Sequence, residues 1–522
     1  MRERRVLLMP GTKETSIAII GAGASGIISL YQIVDKFSRE KPNDTRLRIF
    51  LFDKSGVFGT GVAYSTPLAS HLLNVRASGM SAVSGEPLHF WKWLESTAPQ
   101  TNAEYPDLSI DKDTYVPRKV YGRYLTSLFH ETVAKAKTCA IQIEFIRSEV
   151  TGVNDGQRGV ELVLADSNTL RSHFLILAIG NFPSTLYNEL RGTPGYIPYP
   201  WPTQRLMGEI SPTDPICILG AGLSAVDTLF TLLENGHRGN IYFVSRKGML
   251  PKVQSEPGEH TLHFVTREAL DGLTDSGRKH LDLDTVGRLF MREIEAAEGG
   301  KIDWLDILNP QGDPIQILGR DIQKAQSGAI AGQIALMATR PLHADIWFAL
   351  SPEERNRFDR VYKSVWNHYR FPLSMVNAKR VLDILKSGQL AVLGGIGKIS
   401  HLSNPNRFRI QINTRLGPVY HLETPFLINA TGQGLNVTQF TDRFISNLLQ
   451  SGVISPHDSG GIRVDFNSCA VINSDGKVST SVFAVGELTR GVHLFTNAIS
   501  ENVKYADRIT DIIISDVAKS LN

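Results

Sequence analysis

The chain of 522 residues carries 55 basic and 52 acidic side chains for a net charge of +3, which excludes bulk nucleic-acid binding through a basic surplus. With 42% hydrophobic and 20% charged residues it reads as a globular protein of two or three domains, not a disordered chain. Three dispersed cysteines, Cys139, Cys217 and Cys469, form no metal-ligand or CxxC pattern, and no apolar run reaches the roughly 18 residues that span a bilayer. A cytoplasmic protein without a metal site, a disulfide scaffold or a membrane span is expected.

The opening Met1–Pro10 is basic, then briefly apolar, and too short for a signal peptide; it reads as a frayed extension. The run Ser16–Ile20 predicts a strand, followed by the turn Gly21-Ala22-Gly23-Ala24-Ser25-Gly26 and an apolar helix from Ile27 to Val34. Ser38–Arg46 reads as a solvated loop, and the strand Arg48–Phe52 ends in Asp53-Lys54. An acid here can accept hydrogen bonds from the adenosine ribose hydroxyls of a dinucleotide. A further strand, Phe174–Ile179, ends in Gly180.

The pattern then repeats. Strand Pro215–Leu219 leads into Gly220-Ala221-Gly222-Leu223-Ser224-Ala225 and an apolar helix from Val226 to Leu233. Strand Ile241–Val244 ends not in an acid but in Ser245-Arg246-Lys247, two cations suited to the 2′-phosphate of NADP. From about 255 to 390 helical periodicity takes over, with Ser351-Pro352 a good helix start. Strands return at Phe408–Ile412 and Pro425–Ala430, the latter running into Thr431-Gly432. A last strand, Val482–Val485, is followed by Gly486-Glu487 and a helix from near Thr496.

In each copy a glycine turn lets the backbone approach a pyrophosphate at a helix N-terminus. Two copies predict two dinucleotides. The expected architecture is α/β: two Rossmann-like dinucleotide-binding domains of the FAD/NAD(P)-binding fold with a mainly helical insertion. Residues 1–200 would begin the FAD domain and 201–254 form the NAD(P) unit. Residues 255–390 would be the insertion lining the substrate region, and 391–522 would complete both dinucleotide domains.

Further motifs carry a resemblance. They are Gly59-Thr-Gly61-Val-Ala-Tyr64, Leu73-Asn74-Val75-Arg-Ala77, Pro117-Arg118-Lys-Val-Tyr121-Gly122, Ser245-Arg246-Lys247-Gly248-Met-Leu-Pro251 and Trp366-Asn-His368-Tyr-Arg370. With the two turns, the chain resembles the bacterial FAD-NAD(P)-binding proteins, which are related to flavin-containing and N-hydroxylating monooxygenases. The resemblance implies FAD in the first unit, on Gly21, Gly23, Ala24, Ser25, Gly26, Asp53 and Lys54. The segment Gly59–Tyr64 and the pair Asn74-Val75 would lie along pyrophosphate and flavin, Gly180 would approach the cofactor, and Gly486 would stand near the ribityl chain. NADP(H) would lie in the second unit, on Gly220, Gly222, Ser224, Ala225, Ser245, Arg246 and Lys247, with Thr431 and Gly432 nearby. Glu487 replaces the Asp found at that position in many such flavoproteins.

Two departures narrow the chemistry. Isolated cysteines cannot supply the dithiol of a flavin disulfide reductase. The histidine-bearing motif ahead of the second turn in Baeyer–Villiger enzymes is absent from Phe182–Pro202. The expected function is an FAD-dependent, NADPH-using oxidoreductase: a monooxygenase acting through a flavin hydroperoxide, with O2 and a small-molecule substrate, N-hydroxylation being one such reaction. The alternatives are an NAD(P)H-dependent flavin reductase serving a quinone or protein, and a flavin protein with a structural or sensing role. Arg118, Trp366, His368 and Arg370 are candidates for a side chain that assists; each also suits a purely structural part.

Overall fold

The computed structural model describes residues 14–40, 45–106, 110–156, 159–206, 208, 210–308, 312–414 and 417–519. The extension Met1–Pro10 and residues 41–44 of the Ser38–Arg46 loop lie outside them. The helix after the first turn runs as far as Glu40, so Ser38–Glu40 are helical and not loop. The chain divides into two compact units: residues 1–65, 75–181 and 436–522, and residues 66–74 and 182–435.

The first unit is built on β1 (Glu14–Ile20), whose Ile17, Ala18 and Ile19 are fully buried. An apolar run buried on both faces suits a central parallel strand. The six-stranded sheet has the order Ala470–Ile472, Val478–Ala484, Phe174–Leu177, β1, β2 (Arg46–Phe52), Gln142–Ile146. All its pairs are parallel except the outermost, Ala470–Ile472 against Val478–Ala484. Helix α1 (Ala24–Glu40) places Ile27, Leu30, Ile33, Val34 and Phe37 in the same core as Ile17, Ile19 and Ile49. Each such side chain contributes about 1.5–3 kcal/mol of burial. Tyr505, Ile509 and Ile513 of the C-terminal helix Ile499–Lys519 join that core. A three-stranded antiparallel sheet, Val150–Gly156, Gly159–Leu164 and Thr169–Ser172, completes the unit.

The second unit holds a five-stranded, wholly parallel sheet. Its order is Leu390–Leu393, Ile241–Val244, Ile216–Leu219, Phe426–Asn429, Tyr196–Ile197. We label Ile216–Leu219 β3 and Ile241–Val244 β4. Helix α2 (Leu223–Glu234) follows β3. The helices of residues 255–390 belong to this unit. Two of them, Pro314–Gln326 and Met375–Lys386, help cover the sheet: Leu318, Ile322, Ala378 and Val381 share a core with Ile216, Ile218 and Phe243. Two others, α3 (Leu283–Glu298) and α4 (Lys363–Arg370), matter below. Strands Ile396–Ser403, Asn406–Ile412 and Tyr420–Thr424 form an antiparallel sheet.

Candidate dinucleotide sites

In the first unit the loop after β1 is fixed from three sides. The Gly21 N–H donates to the Phe52 carbonyl at 2.9 Å, which sets the end of β2 beside the turn. Asp53 follows, and its Oδ2 accepts from the Ala22 N–H at 3.2 Å while Oδ1 accepts from the Ser55 N–H at 2.9 Å. The Gly59 N–H donates to the Ala22 carbonyl at 2.9 Å. Gly61 lies so close to Gly23 that a Cβ on Gly61 would stand 3.0 Å from the Gly23 Cα. Gly21 has φ +101°, and a Cβ there would meet the Ala178 carbonyl oxygen at 2.3 Å, so this position admits no other residue without strain. A Cβ at Gly26 would stand 1.8 Å from the Gly21 oxygen, which lets α1 start hard against the turn. A Cβ at Gly486 would lie 3.2 Å from Ser25 Oγ, and that hydroxyl donates to Asn502 Oδ1 at 2.8 Å.

The structure therefore gathers the Gly21–Gly26 turn, Asp53, Gly59, Gly61 and Gly486, with Gly180 opening onto free space just beyond Ala178. The other expected residues of this site are placed as follows. The Lys54 ammonium lies 3.7 Å from Glu149 and 4.0 Å from Asp442. The Glu487 carboxylate is buried and accepts from Arg490 at 3.0 Å and Thr496 at 3.2 Å. Asn74 falls in the second unit and Val75 in the first. Tyr64 packs its ring 4.8 Å from Tyr121. Burial lifts its phenol to about 12 against the opposing pull of the Arg118 guanidinium.

The second unit repeats the construction. The Gly220 N–H donates to the Val244 carbonyl at 2.8 Å, setting the end of β4 beside the turn. Gly220 has φ +110°, and a Cβ there would meet the Ala430 oxygen at 2.7 Å, as Gly21 meets Ala178. Gly222 faces open space at the start of α2, followed by Ser224 and the buried Ala225, where the first turn has Gly26. Gly432 also faces open space, and the Thr431 hydroxyl bonds Asn429 Oδ1 at 2.6 Å. Beyond Val244, Ser245 Oγ accepts from the Gly248 N–H at 3.0 Å, while Arg246 and Lys247 are exposed. Lys247 Nζ donates to the Leu308 carbonyl at 2.9 Å.

The remaining candidates are tied into packing. The Trp366 ring stands 5.3 Å from Phe290 and 5.2 Å from His343. Arg370 is buried against Phe371, and with Arg340 it adds to the burial that drives the His343 imidazole well below its ordinary range. His368 turns Nδ1 to the Ser364 carbonyl and Nε2 to the Met249 carbonyl, the latter at 2.7 Å. Arg118 opens the helix Arg118–Thr138.

Residues 18–182 match the family model described as FAD-NAD(P)-binding. The chain carries an FAD-NAD(P)-binding domain. Two curated relatives align along nearly its whole length. One is the nitrosuccinic acid synthase of Aspergillus oryzae, 23% identical over 94% of this chain and 90% of the relative. The other is the L-aspartate N-monooxygenase (nitrosuccinate-forming) of Streptomyces davaonensis, 21% identical over 93% and 94%. Among solved structures, the reduced form of ornithine hydroxylase from Pseudomonas aeruginosa superposes with a TM-score of 0.58 at 13% identity, covering 97% of this chain and all (100%) of that one. Among the described residues no helix is long and apolar enough to cross a membrane.

Several residues that shape the FAD-NAD(P)-binding domain and the second unit carry little sequence signal. Gly122, named above only within the Pro117–Gly122 motif, sits inside a helix, where glycine costs about 1 kcal/mol, and a Cβ there would meet the Tyr64 carbonyl at 2.3 Å. Asn502 reaches Ser25 from 477 residues away, with no local pattern to announce it. His71 is fully buried, with Nδ1 2.8 Å from the Thr66 hydroxyl and Nε2 3.0 Å from the Asp227 carbonyl, tying residues 66–74 to α2.

Proposed function

We propose that this protein is an FAD-dependent, NADPH-using N-monooxygenase acting on a small amine or amino acid. The observation that carries the reading is the pair of equivalently built glycine turns, one flanked by Asp53 and the other by Arg246-Lys247. The residues fit the cofactors. Gly222 and Gly432 leave open space at the second turn, and Gly180 leaves it at the first. The start of α1 would receive the FAD pyrophosphate and Asp53 the ribose; the start of α2 would receive the NADPH pyrophosphate and the two cations its 2′-phosphate.

When bound, reduced flavin supplies the activation of O2. The chain's own contribution is to hold each dinucleotide, fix its orientation and exclude water. No side-chain acid–base pair is required, which agrees with His368, Trp366 and Arg370 being engaged in packing and backbone contacts. The relatives make L-aspartate, then L-ornithine, the first amines to test. In the presence of the right amine, NADPH oxidation should match formation of an N-oxygenated product carrying label from ¹⁸O2. NADPH consumption with all the oxygen recovered as peroxide, for every amine tried, would overturn the monooxygenase reading in favour of a reductase. The proposed location is cytoplasmic.

A further inference from the structure

The motif Trp366-Asn-His-Tyr-Arg370 lies on α4, away in sequence from the cations that follow β4, yet it touches their loop. That loop, Ser245–Lys252, is pinned at its start by the strand beside it: the Gly395 N–H donates to the Arg246 carbonyl at 3.0 Å, and the Ser245 N–H to Leu393 at 3.0 Å. At its end the Lys252 N–H donates to the His368 carbonyl at 3.0 Å, and the Leu373 N–H returns to the Lys252 carbonyl at 2.7 Å. Lys252 Nζ sits 3.1 Å from Asp321 and 5.4 Å from the centre of the Tyr369 ring. Between these ends the His368 imidazole reaches Met249, Nε2 to carbonyl oxygen at 2.7 Å. Both carbonyls only accept and a neutral imidazole carries one N–H, so His368 donates to Met249 in the tautomer with its proton on Nε2, leaving Nδ1 to face the Ser364 carbonyl without a proton. Met249 is buried, two residues from the exposed Lys247, so what fixes Met249 also limits where Arg246 and Lys247 can stand.

We propose that His368 is a positioning residue for cofactor selectivity: by holding the Met249 carbonyl it sets the Arg246-Lys247 pair at the spacing that reads a 2′-phosphate. The inference rests on the NADPH reading above and assigns His368 to the second dinucleotide site rather than to the substrate. A loop left to move presents the same charges in many geometries, and the entropy of fixing them on the ligand is then lost from binding. The free 2′-hydroxyl of NAD makes no such demand.

The test titrates the flavin-loaded protein by calorimetry with adenosine 2′,5′-bisphosphate and with 5′-AMP, which differ by the 2′-phosphate alone. Wild type should bind the bisphosphate about 10-fold or more tightly than AMP, the ratio expected of one charge-assisted contact. His368→Ala should bring the ratio most of the way to unity with AMP affinity unchanged, and His368→Gln, which keeps a donor near Met249, should restore it. His368→Leu fills the ring's volume without a donor and should behave as the Ala variant, so it decides the matter if Ala does not fold. Equal loss of both ligands, an unchanged ratio in Ala and Leu, or failure of both to fold would overturn the proposal. If wild type shows no preference, the NADPH reading itself fails. If Arg246→Ala/Lys247→Ala removes a preference that the His368 variants keep, the positioning role alone fails.

Discussion

Glu293, on α3, shows what a single buried charge requires. Its carboxylate is fully buried, and burial alone would raise its pKa; His260 at 2.7 Å and the backbone N–H groups of His263, Phe264 and Val265 outweigh that and bring it from 4.5 to about 2. The folded-state value lies below the unfolded one, so the group stabilises the protein above about pH 4.5 and the benefit fades as pH falls toward 2. Glu293→Gln should cost roughly 3 kcal/mol near neutral pH, because the amide cannot satisfy that many donors. Urea unfolding of both proteins at about pH 7 and about pH 3 checks this, and a gap that does not narrow in acid would refute it. Arg246 and Lys247 make a second prediction of the same kind. Replacing both with Ala should weaken NADP⁺ by about 1.5–3 kcal/mol per lost contact and leave NAD⁺ nearly unchanged, as read by equilibrium binding. Equal losses would mean that the cations do not read the phosphate.

Elements were legible in the sequence to the degree that their signals were local. Strand Ile241–Val244 stands where the apolar run predicted it, ahead of Ser245-Arg246-Lys247, and the helix after Ser351 starts on that serine, whose Oγ accepts from the Glu354 N–H at 3.3 Å. From that start the backbone is helical through to Arg370 but widens to a π-helical stretch at Phe358–Tyr362. Such a widening depends on how neighbouring side chains pack and leaves no mark on the apolar period. Of the turn residues, those fixed by steric demand were readable because only glycine fits beside Ala178 and Ala430. His368 stood out in the sequence only within the Trp366–Arg370 motif; its engagement is with Met249, and only the fold brings that carbonyl, 119 residues away, to it. Glu293 escaped notice because an acid on an amphipathic helix reads as solvated face until the loop 260–265 closes over it.

Across the molecule, one solution serves twice. Each unit sets a positive-φ glycine against the carbonyl of the alanine just past the adjacent strand, bonds that glycine to the last residue of the next strand, and so delivers the following residues to the turn. What differs is the delivered chemistry, a carboxylate in one unit and two cations in the other. The second turn also tolerates Ala225 where the first requires Gly26, whose Cβ would press on the Gly21 oxygen at 1.8 Å. Damage to the turns should therefore separate the two cofactors. Gly26→Ala should yield protein with little bound flavin and stability lowered by about 1–3 kcal/mol from overpacking. Gly220→Ala, strained at φ +110° and 2.7 Å from the Ala430 oxygen, should purify with flavin bound but lose its anaerobic bleaching by NADPH while dithionite still bleaches it. Flavin absorbance per mole of protein and the two bleaching rates decide between assignments. If Gly220→Ala emptied the protein of flavin and Gly26→Ala did not, the flavin would belong to the second unit and the carboxylate at Asp53 would need another partner.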